Sequence, residues 1–407
     1  MASDLPVSPG DVAAAAERLR GSVAATPSLR SAQLSLVTGA TVVVKCENLQ
    51  FTGSFKERGA RNRLSTLTNA ERGRGVIAVS AGNHALAVAH HAEVLGIDCT
   101  VVMPATTPWA KVAPIEGFGA AVVLSGDTFD DARARADALE LESGAVRIPP
   151  FDDVDVIAGQ GTVALELLDA APDLDVLVVP VGGGGLLAGI AVAAKDRRPD
   201  LHIVGVQSEL FPSLVREPTR EVPARATIAE GIAVKQPGAL TRPIIAALVD
   251  DMLAVPESRI EEAISLYLET EKLVAEGAGA AALAALLEYP ERFRDHTVGL
   301  VLSGGNIDLH VLAQVIMRTL ARTGRITHLT LQLPDRPGSL MAVAAVVAAQ
   351  GANIISVSHD RYRPELALRV AELELTVETR DSHHRDDLVL ALREAGFPPV
   401  VPPRDAV

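Results

Sequence analysis

Between residues 75 and 210, short β-branched runs alternate with longer stretches that repeat Ala, Leu and Val at helical spacing. Residues 75–80, 99–104, 121–124, 175–181 and 202–207 are nearly continuous apolar runs, the pattern of short strands buried on both faces. Residues 84–95, 127–143 and 186–195 are long enough to be crossover helices between them. Strand, helix and parallel strand in that order predict right-handed βαβ units around a mainly parallel sheet, hence an α/β fold with both sheet faces covered. A strand at 297–302 and a helix at 309–322 close this unit, which is expected to span residues 1–322 with a smaller lobe at about 50–150. After 323 the pattern changes to a strand at 328–333, a turn at 335–338, a helix at 339–350, strands at 353–358 and 366–378, a helix at 386–394 and a short end strand. That βαββαβ order is ferredoxin-like, and ~80 residues suffice for a separate small α+β domain, residues 323–407.

The chain length of 407 residues agrees with more than one domain. A formal net charge of -14 opposes general attraction to nucleic acid or anionic lipid, so neither is an expected partner. Two cysteines, Cys46 and Cys99, fall in separate predicted strands and make no disulfide framework. The start Met1-Ala2-Ser3-Asp4 lacks the basic and apolar regions of a signal peptide, and a cytoplasmic location is expected. Residues 176–194 carry no charge and approach the ~20 residues of a membrane span. Pro180 and the consecutive glycines that follow would break a lipid-exposed helix, so the stretch is expected to be strand, glycine loop, helix.

Three glycine-centred loops fall at predicted C-terminal strand ends, where open α/β sheets bind ligands: 80–84, 182–185 and 303–306. The four successive glycines Gly182, Gly183, Gly184 and Gly185 would let backbone N–H groups converge on an anion at a helix start, a phosphate cradle. A tight turn alone would need one glycine, and no Lys-Ser/Thr follows as in a P-loop. Residues 183–188 also fit a permissive dinucleotide fingerprint with Glu209 downstream, which keeps a nicotinamide-dependent oxidoreductase as an alternative. In the segment 52–60 a lysine, Lys56, follows Phe55 at a predicted helix start. An enclosed amine there can lose its proton and form a Schiff base, although a lone lysine also reads as a solvated cation.

Together, residues 45–56, the three glycine loops, 151–153, 158–162, 231–235 and 276–280 resemble the fold-type II pyridoxal-phosphate enzymes, and among them the threonine dehydratases, over residues of about 10 to 322. The resemblance implies two open, mainly parallel α/β lobes and pyridoxal 5'-phosphate as cofactor. It implies that Lys56 forms the Schiff base and later takes the substrate α-proton, and that Gly182 to Gly185 with Leu186 cradle the phosphate. Asn83 would bond the ring hydroxyl oxygen, Phe55 would pack on the ring and Ser303 would face the pyridine nitrogen. Ser80, Ala81, Gly82, Asn83 and His84 would bind the substrate carboxylate through their backbone, although His84 also reads as a helix cap. The implied reaction is α,β-elimination of L-threonine to 2-oxobutanoate and ammonia, with L-serine to pyruvate beside it. A serine dehydratase or racemase of the same fold is the nearest alternative, and a catalytically silent amino-acid sensor a more distant one.

Two departures refine that expectation. Ala81 stands where serine racemases of the family place a second catalytic hydroxyl, which favours elimination over racemisation, and Gln207 stands near a carboxylate that binds a divalent cation in racemase-type relatives, so no metal is expected. Asp152 and Asp153 read as a turn, and His90 with His91, adjacent on a helix, as no metal pair. The C-terminal segment resembles an ACT domain through residues 335–340 and 351–354. That likeness implies an isoleucine or valine effector near Asp335, Gly338, Leu340 and Asn353, pairing across subunits, and a homo-oligomer, tetramer or dimer. Biosynthetic and catabolic roles both stay open.

Overall fold

The computed structural model describes residues 5–215, 227–362 and 364–401. The chain divides into two compact units, Met1–Ile307 and Asp308–Val407. In the first unit the strands are β1 (Ser28–Ser31), β2 (Thr41–Cys46), β3 (Val76–Val79), β4 (Cys99–Met103), β5 (Ala121–Leu124), β6 (Val146–Arg147), β7 (Val176–Pro180), β8 (His202–Ser208), β9 (Asp251–Val255) and β10 (Thr297–Leu302). They form two sheets, where periodicity alone gives one and the family resemblance two lobes. One is a four-stranded parallel sheet in the order β5-β4-β3-β6. The other is six-stranded in the order β1-β2-β10-β7-β8-β9, parallel except for β1 at its edge.

Each sheet has its own apolar core, as expected of an α/β layer buried on both faces. Around the four-stranded sheet, Val76, Ala78, Val101 and Met103 pack against Leu64 and the alanines of the helix Asn83–Leu95. Around the six-stranded sheet, Leu177, Val179 and Ile203 pack against the helices Val154–Ala170 and Gly185–Arg197. Those two helices approach so closely that a Cβ on Gly189 would lie 2.1 Å from the Ile157 carbonyl oxygen. The uncharged stretch 176–194 is strand, loop and helix, and no helix among the described residues is long and apolar enough to cross a membrane. Cys46 and Cys99 are free and buried.

The second unit begins with the helix Leu309–Arg322, followed by β11 (Ile326–Pro334), the helix Ser339–Ala349, β12 (Asn353–Asp360), β13 (Val370–Glu378) and the helix Ser382–Glu394. The sheet order is β11-β13-β12 with antiparallel pairs. The expected end strand is a single bridge from Val400 to Thr330 on the free edge of β11. β13 starts at Val370 instead of 366, because Arg369 takes a left-handed φ of 67° and its carbonyl accepts the Asp335 N–H. Leu329, Leu331, Leu373 and Leu375 turn one sheet face onto the two following helices, whose Val343 and Leu388 are fully buried.

Candidate active site

The chain leaving β2 turns back on itself at Gly53, where φ is 76° and a Cβ would meet the Asn306 side-chain oxygen at 2.4 Å, so only glycine fits. Ser54 then bridges Gly304, the Phe55 N–H donates to the Ser303 carbonyl at 3.0 Å, and the Gly305 N–H donates to the Gly53 carbonyl at 2.9 Å. This short pairing seats the helix Lys56–Thr66 against the loop that follows β10. Lys56, its first residue, is half-buried, and its Nζ donates to the Pro150 carbonyl at 2.6 Å and lies 5.0 Å from the Phe55 ring centre. Burial pushes its ammonium down from 10.5 to about 8, opposed by the nearby Glu276 carboxylate. A helix N-terminus is also a poor place for a cation, so helix position and burial favour the neutral amine together.

Two residues further along, Arg58 is fully buried and anchors this helix. Its guanidinium donates to both Glu47 oxygens at 2.8 Å and to both Glu166 oxygens at 2.6 and 2.8 Å, and Lys45 reaches Glu166 at 2.6 Å. Burial alone would raise Glu47, but Arg58 and Lys45 hold it ionised. The cluster is a compensated buried ion network, which is costly to break at any one member.

Pro150 joins the lysine to the glycine loop. Its neighbour Phe151 lies so close to that loop that a Cβ on Gly183 would sit 2.4 Å from the Phe151 ring and one on Gly185 2.9 Å from its Cβ. Gly184 has a φ of 96° and caps the helix Gly185–Arg197. Packing therefore supplies a second reason for consecutive glycines beside the anion cradle. A cradle further requires N–H groups left free for an anion. Among the described residues, no protein acceptor meets the N–H of any residue from Gly182 to Leu187, although all but Gly182 are buried. Buried N–H groups without partners at the start of a helix, beside an amine with a lowered pKa, fit the phosphate and aldehyde of pyridoxal phosphate.

The loop after β3 behaves similarly. Gly82 N–H donates to Ser80 Oγ at 3.2 Å, whereas the N–H groups of Ala81, Asn83 and His84 meet no acceptor among the described residues. Ser80, Ala81, Gly82 and Asn83 are half-buried. His84 is no helix cap: its Nε2 meets the Ile148 carbonyl at 2.8 Å, and burial with the nearby Lys56 pushes its pKa down to about 3. Asn83 Nδ2 donates to Glu276 Oε1 at 2.7 Å, while Asn83 Oδ1 accepts from Asn306 Nδ2 at 2.7 Å, and the same Asn306 nitrogen donates to the Thr52 carbonyl at 2.7 Å. Burial raises Glu276 to about 7, with Asn83, Lys56 and Lys111 opposing and Glu230 adding. Asn83, Glu276, Asn306, Ser303 and Lys56 are thus linked through one set of contacts, with Leu186 and the glycines reached through Phe151.

Ser303 is buried, and its hydroxyl bonds to no described residue. Phe55 packs on the core of the six-stranded sheet. Gln207 donates its amide N–H groups to the Val181 carbonyl and Ser213 Oγ and accepts from the Leu214 N–H. Asp152 and Asp153 do more than turn the chain: Asp152 accepts from the N–H groups of Ala239 and Leu240, and Asp153 caps the helix Val154–Ala170. His90 stacks on Phe51 with ring centres 4.5 Å apart, while His91 faces Glu57 at 3.5 Å. Pro150, Asn306 and Arg58 have no role legible in the sequence, since neither a carbonyl acceptor nor a core guanidinium leaves a pattern along the chain. In the second unit, Asp335, Gly338 and Leu340 lie at the Pro334 end of β11, and Asn353 pairs Glu378 opposite Ile326, roughly 25 Å along the sheet. One chain does not bring them together.

The family model described as pyridoxal-phosphate dependent enzyme matches residues 19–304. The L-threonine ammonia-lyase of Thermotoga maritima is 43% identical over 391 residues, 95% of this chain and 97% of that protein. Among solved structures, threonine deaminase isoform 2 from Solanum lycopersicum, in its processed form, is 34% identical with a TM-score of 0.71 and covers 76% of this chain and 91% of its own. Maize serine racemase is 33% identical with a TM-score of 0.72, covering 77% of this chain and 98% of its own.

Proposed function

This chain belongs to the pyridoxal-phosphate dependent enzyme family, and from that membership we propose that it is a threonine ammonia-lyase, converting L-threonine to 2-oxobutanoate and ammonia and L-serine to pyruvate. The observation that carries the reading is Lys56, an amine with a pKa lowered to about 8, beside a row of unpartnered N–H groups from Gly182 to Leu187. When bound, pyridoxal phosphate supplies the electron sink for charge that develops at the substrate Cα. The glycine-loop N–H groups and Leu186 would hold its phosphate, Asn83 Nδ2 would bond its ring hydroxyl oxygen, Phe55 would border its ring, and the uncharged Ser303 hydroxyl would meet its pyridine nitrogen. The unpartnered N–H groups of Ala81, Asn83 and His84 take the substrate carboxylate at the start of the helix Asn83–Leu95. Lys56 takes the α-proton as free amine, and the low pKa keeps a working fraction of it deprotonated near neutrality. Ala81 has no hydroxyl with which to return a proton to the opposite face, which supports elimination over racemisation.

The test is release of 2-oxobutanoate and ammonia from L-threonine by the cofactor-loaded protein. Lys56→Ala should remove both the visible absorbance of bound cofactor and all turnover. Wild-type turnover in that variant would sink the assignment, and a racemised product would favour the racemase reading.

The strand and helix order after residue 326 supports an ACT-like regulatory unit, and we read the chain as a cytoplasmic homo-oligomer regulated by isoleucine or valine. Because Asn353 lies at the opposite end of the sheet from Asp335 to Leu340, the effector site needs two copies of this unit. Calorimetry with each branched-chain amino acid tests this, and absence of any binding heat would remove the effector.

A further inference from the structure

The loop network leaves one side chain without a role in the proposed chemistry, Glu276. It stands at the N-cap of the helix Gly277–Glu288 but makes no capping bond with its side chain. Its backbone N–H is used by the Gly304 carbonyl at 3.0 Å, which places the carboxyl beside that loop. A Cβ on Gly304 would lie 2.4 Å from Glu276 Oε1, so the position opposite must stay bare for the carboxyl to fit. The carboxyl instead accepts from Asn83 Nδ2.

An asparagine amide can be turned through half a revolution with almost no change of shape, and only its partners decide which end is which. Here they decide it at both ends. The Asn306 amide nitrogen spends one proton on the Thr52 carbonyl and the other on Asn83 Oδ1, so it cannot accept from a flipped Asn83. Glu276 Oε1 takes one proton of Asn83 Nδ2, and the ionised form of this carboxyl, which prevails above its pKa of about 7, can only accept. One N–H of Asn83 then remains, and among the described residues it meets no acceptor. Without Glu276 the amide would lose the charged acceptor that sets its direction.

We propose that Glu276 is a positioning residue whose carboxyl fixes the Asn83 amide with its remaining N–H directed at the ring hydroxyl oxygen of bound pyridoxal phosphate. This rests on the reading of the cleft as the cofactor site. Glu276 touches neither the cofactor nor the substrate in this role, and its effect passes through Asn83.

The test measures equilibrium affinity for pyridoxal phosphate and the position of the visible band of the bound cofactor, both independent of turnover. Glu276→Met keeps the bulk of the side chain and removes the acceptor. It should weaken cofactor affinity by about tenfold and move the band, because the Asn83 amide loses the acceptor that sets its direction. Glu276→Gln, which still offers a carbonyl oxygen, should stay within about twofold of wild type in both readouts. Added to Asn83→Ala, Glu276→Met should change affinity by less than about twofold, because its target is gone. Wild-type affinity and band position in Glu276→Met would overturn the inference while leaving the cofactor site intact, as would a full tenfold effect that persists in the Asn83→Ala background. A wild-type chain that takes up no pyridoxal phosphate would overturn the cofactor site as well.

Discussion

Lys56 donates to the carbonyl oxygen of Pro150 at 2.6 Å, and this neutral acceptor, in place of a carboxylate, is what lets burial lower the lysine pKa. A carboxylate at that distance would hold the amine protonated. Proline serves here without loss, since the contact uses its carbonyl and its missing N–H is not needed. The next residue, Phe151, packs on the glycine loop, so one dipeptide couples the amine to the cradle.

The rate at which cofactor-free protein takes up pyridoxal phosphate should follow the neutral fraction of Lys56. With a pKa of about 8, raising pH from 7 to 9 should increase that rate about tenfold and then level off. A rate still climbing beyond pH 10 in stopped-flow absorbance would show that the lysine is not shifted.

Gly183→Ala should abolish detectable cofactor binding, since the new Cβ would sit 2.4 Å from the Phe151 ring and displace either the ring or the loop. Adding Phe151→Ala should restore part of the lost thermal stability, a coupling of about 1–3 kcal/mol between neighbours. Additive effects in a double-mutant cycle would contradict the proposed contact.

Arg58→Met should destabilise the protein by about 3–5 kcal/mol, because it removes the guanidinium that compensates the buried Glu47 carboxylate and binds both Glu166 oxygens. Arg58→Lys should recover only part of this, lacking the forked geometry that reaches both carboxylates. Urea unfolding of both variants checks the order.

His84 is held below its unfolded pKa, so the unfolded chain binds the extra proton first and stability rises with pH across the window from 3 to 6.5. Between pH 7 and pH 5 the wild type should lose about 2 kcal/mol through this residue alone. His84→Gln should flatten that part of the stability profile. An unchanged slope would place the titration elsewhere.

Much of this was legible along the chain. Glycines after apolar runs marked the strand-to-helix turns, and those turns carry the loops 80–84, 182–185 and 303–306 as expected from their spacing. A buried strand must be apolar and a tight turn must be glycine whatever surrounds them, so such features are written locally. The class of the fold and the candidate lysine, Lys56, follow from them.

Pairing is a different matter, because strand residues that are buried on both faces carry no label for their neighbour. That β10 inserts between β2 and β7 and that Asn353 lies far from Asp335 were decided by long-range contacts. The same holds for the finer chemistry. A lysine pKa of about 8, a histidine pKa of about 3 and an asparagine amide with one direction arise from burial and from partners distant in sequence. Local sequence determined which residues were available for chemistry; only the tertiary structure, by removing water and choosing partners, decided what state each of them is in.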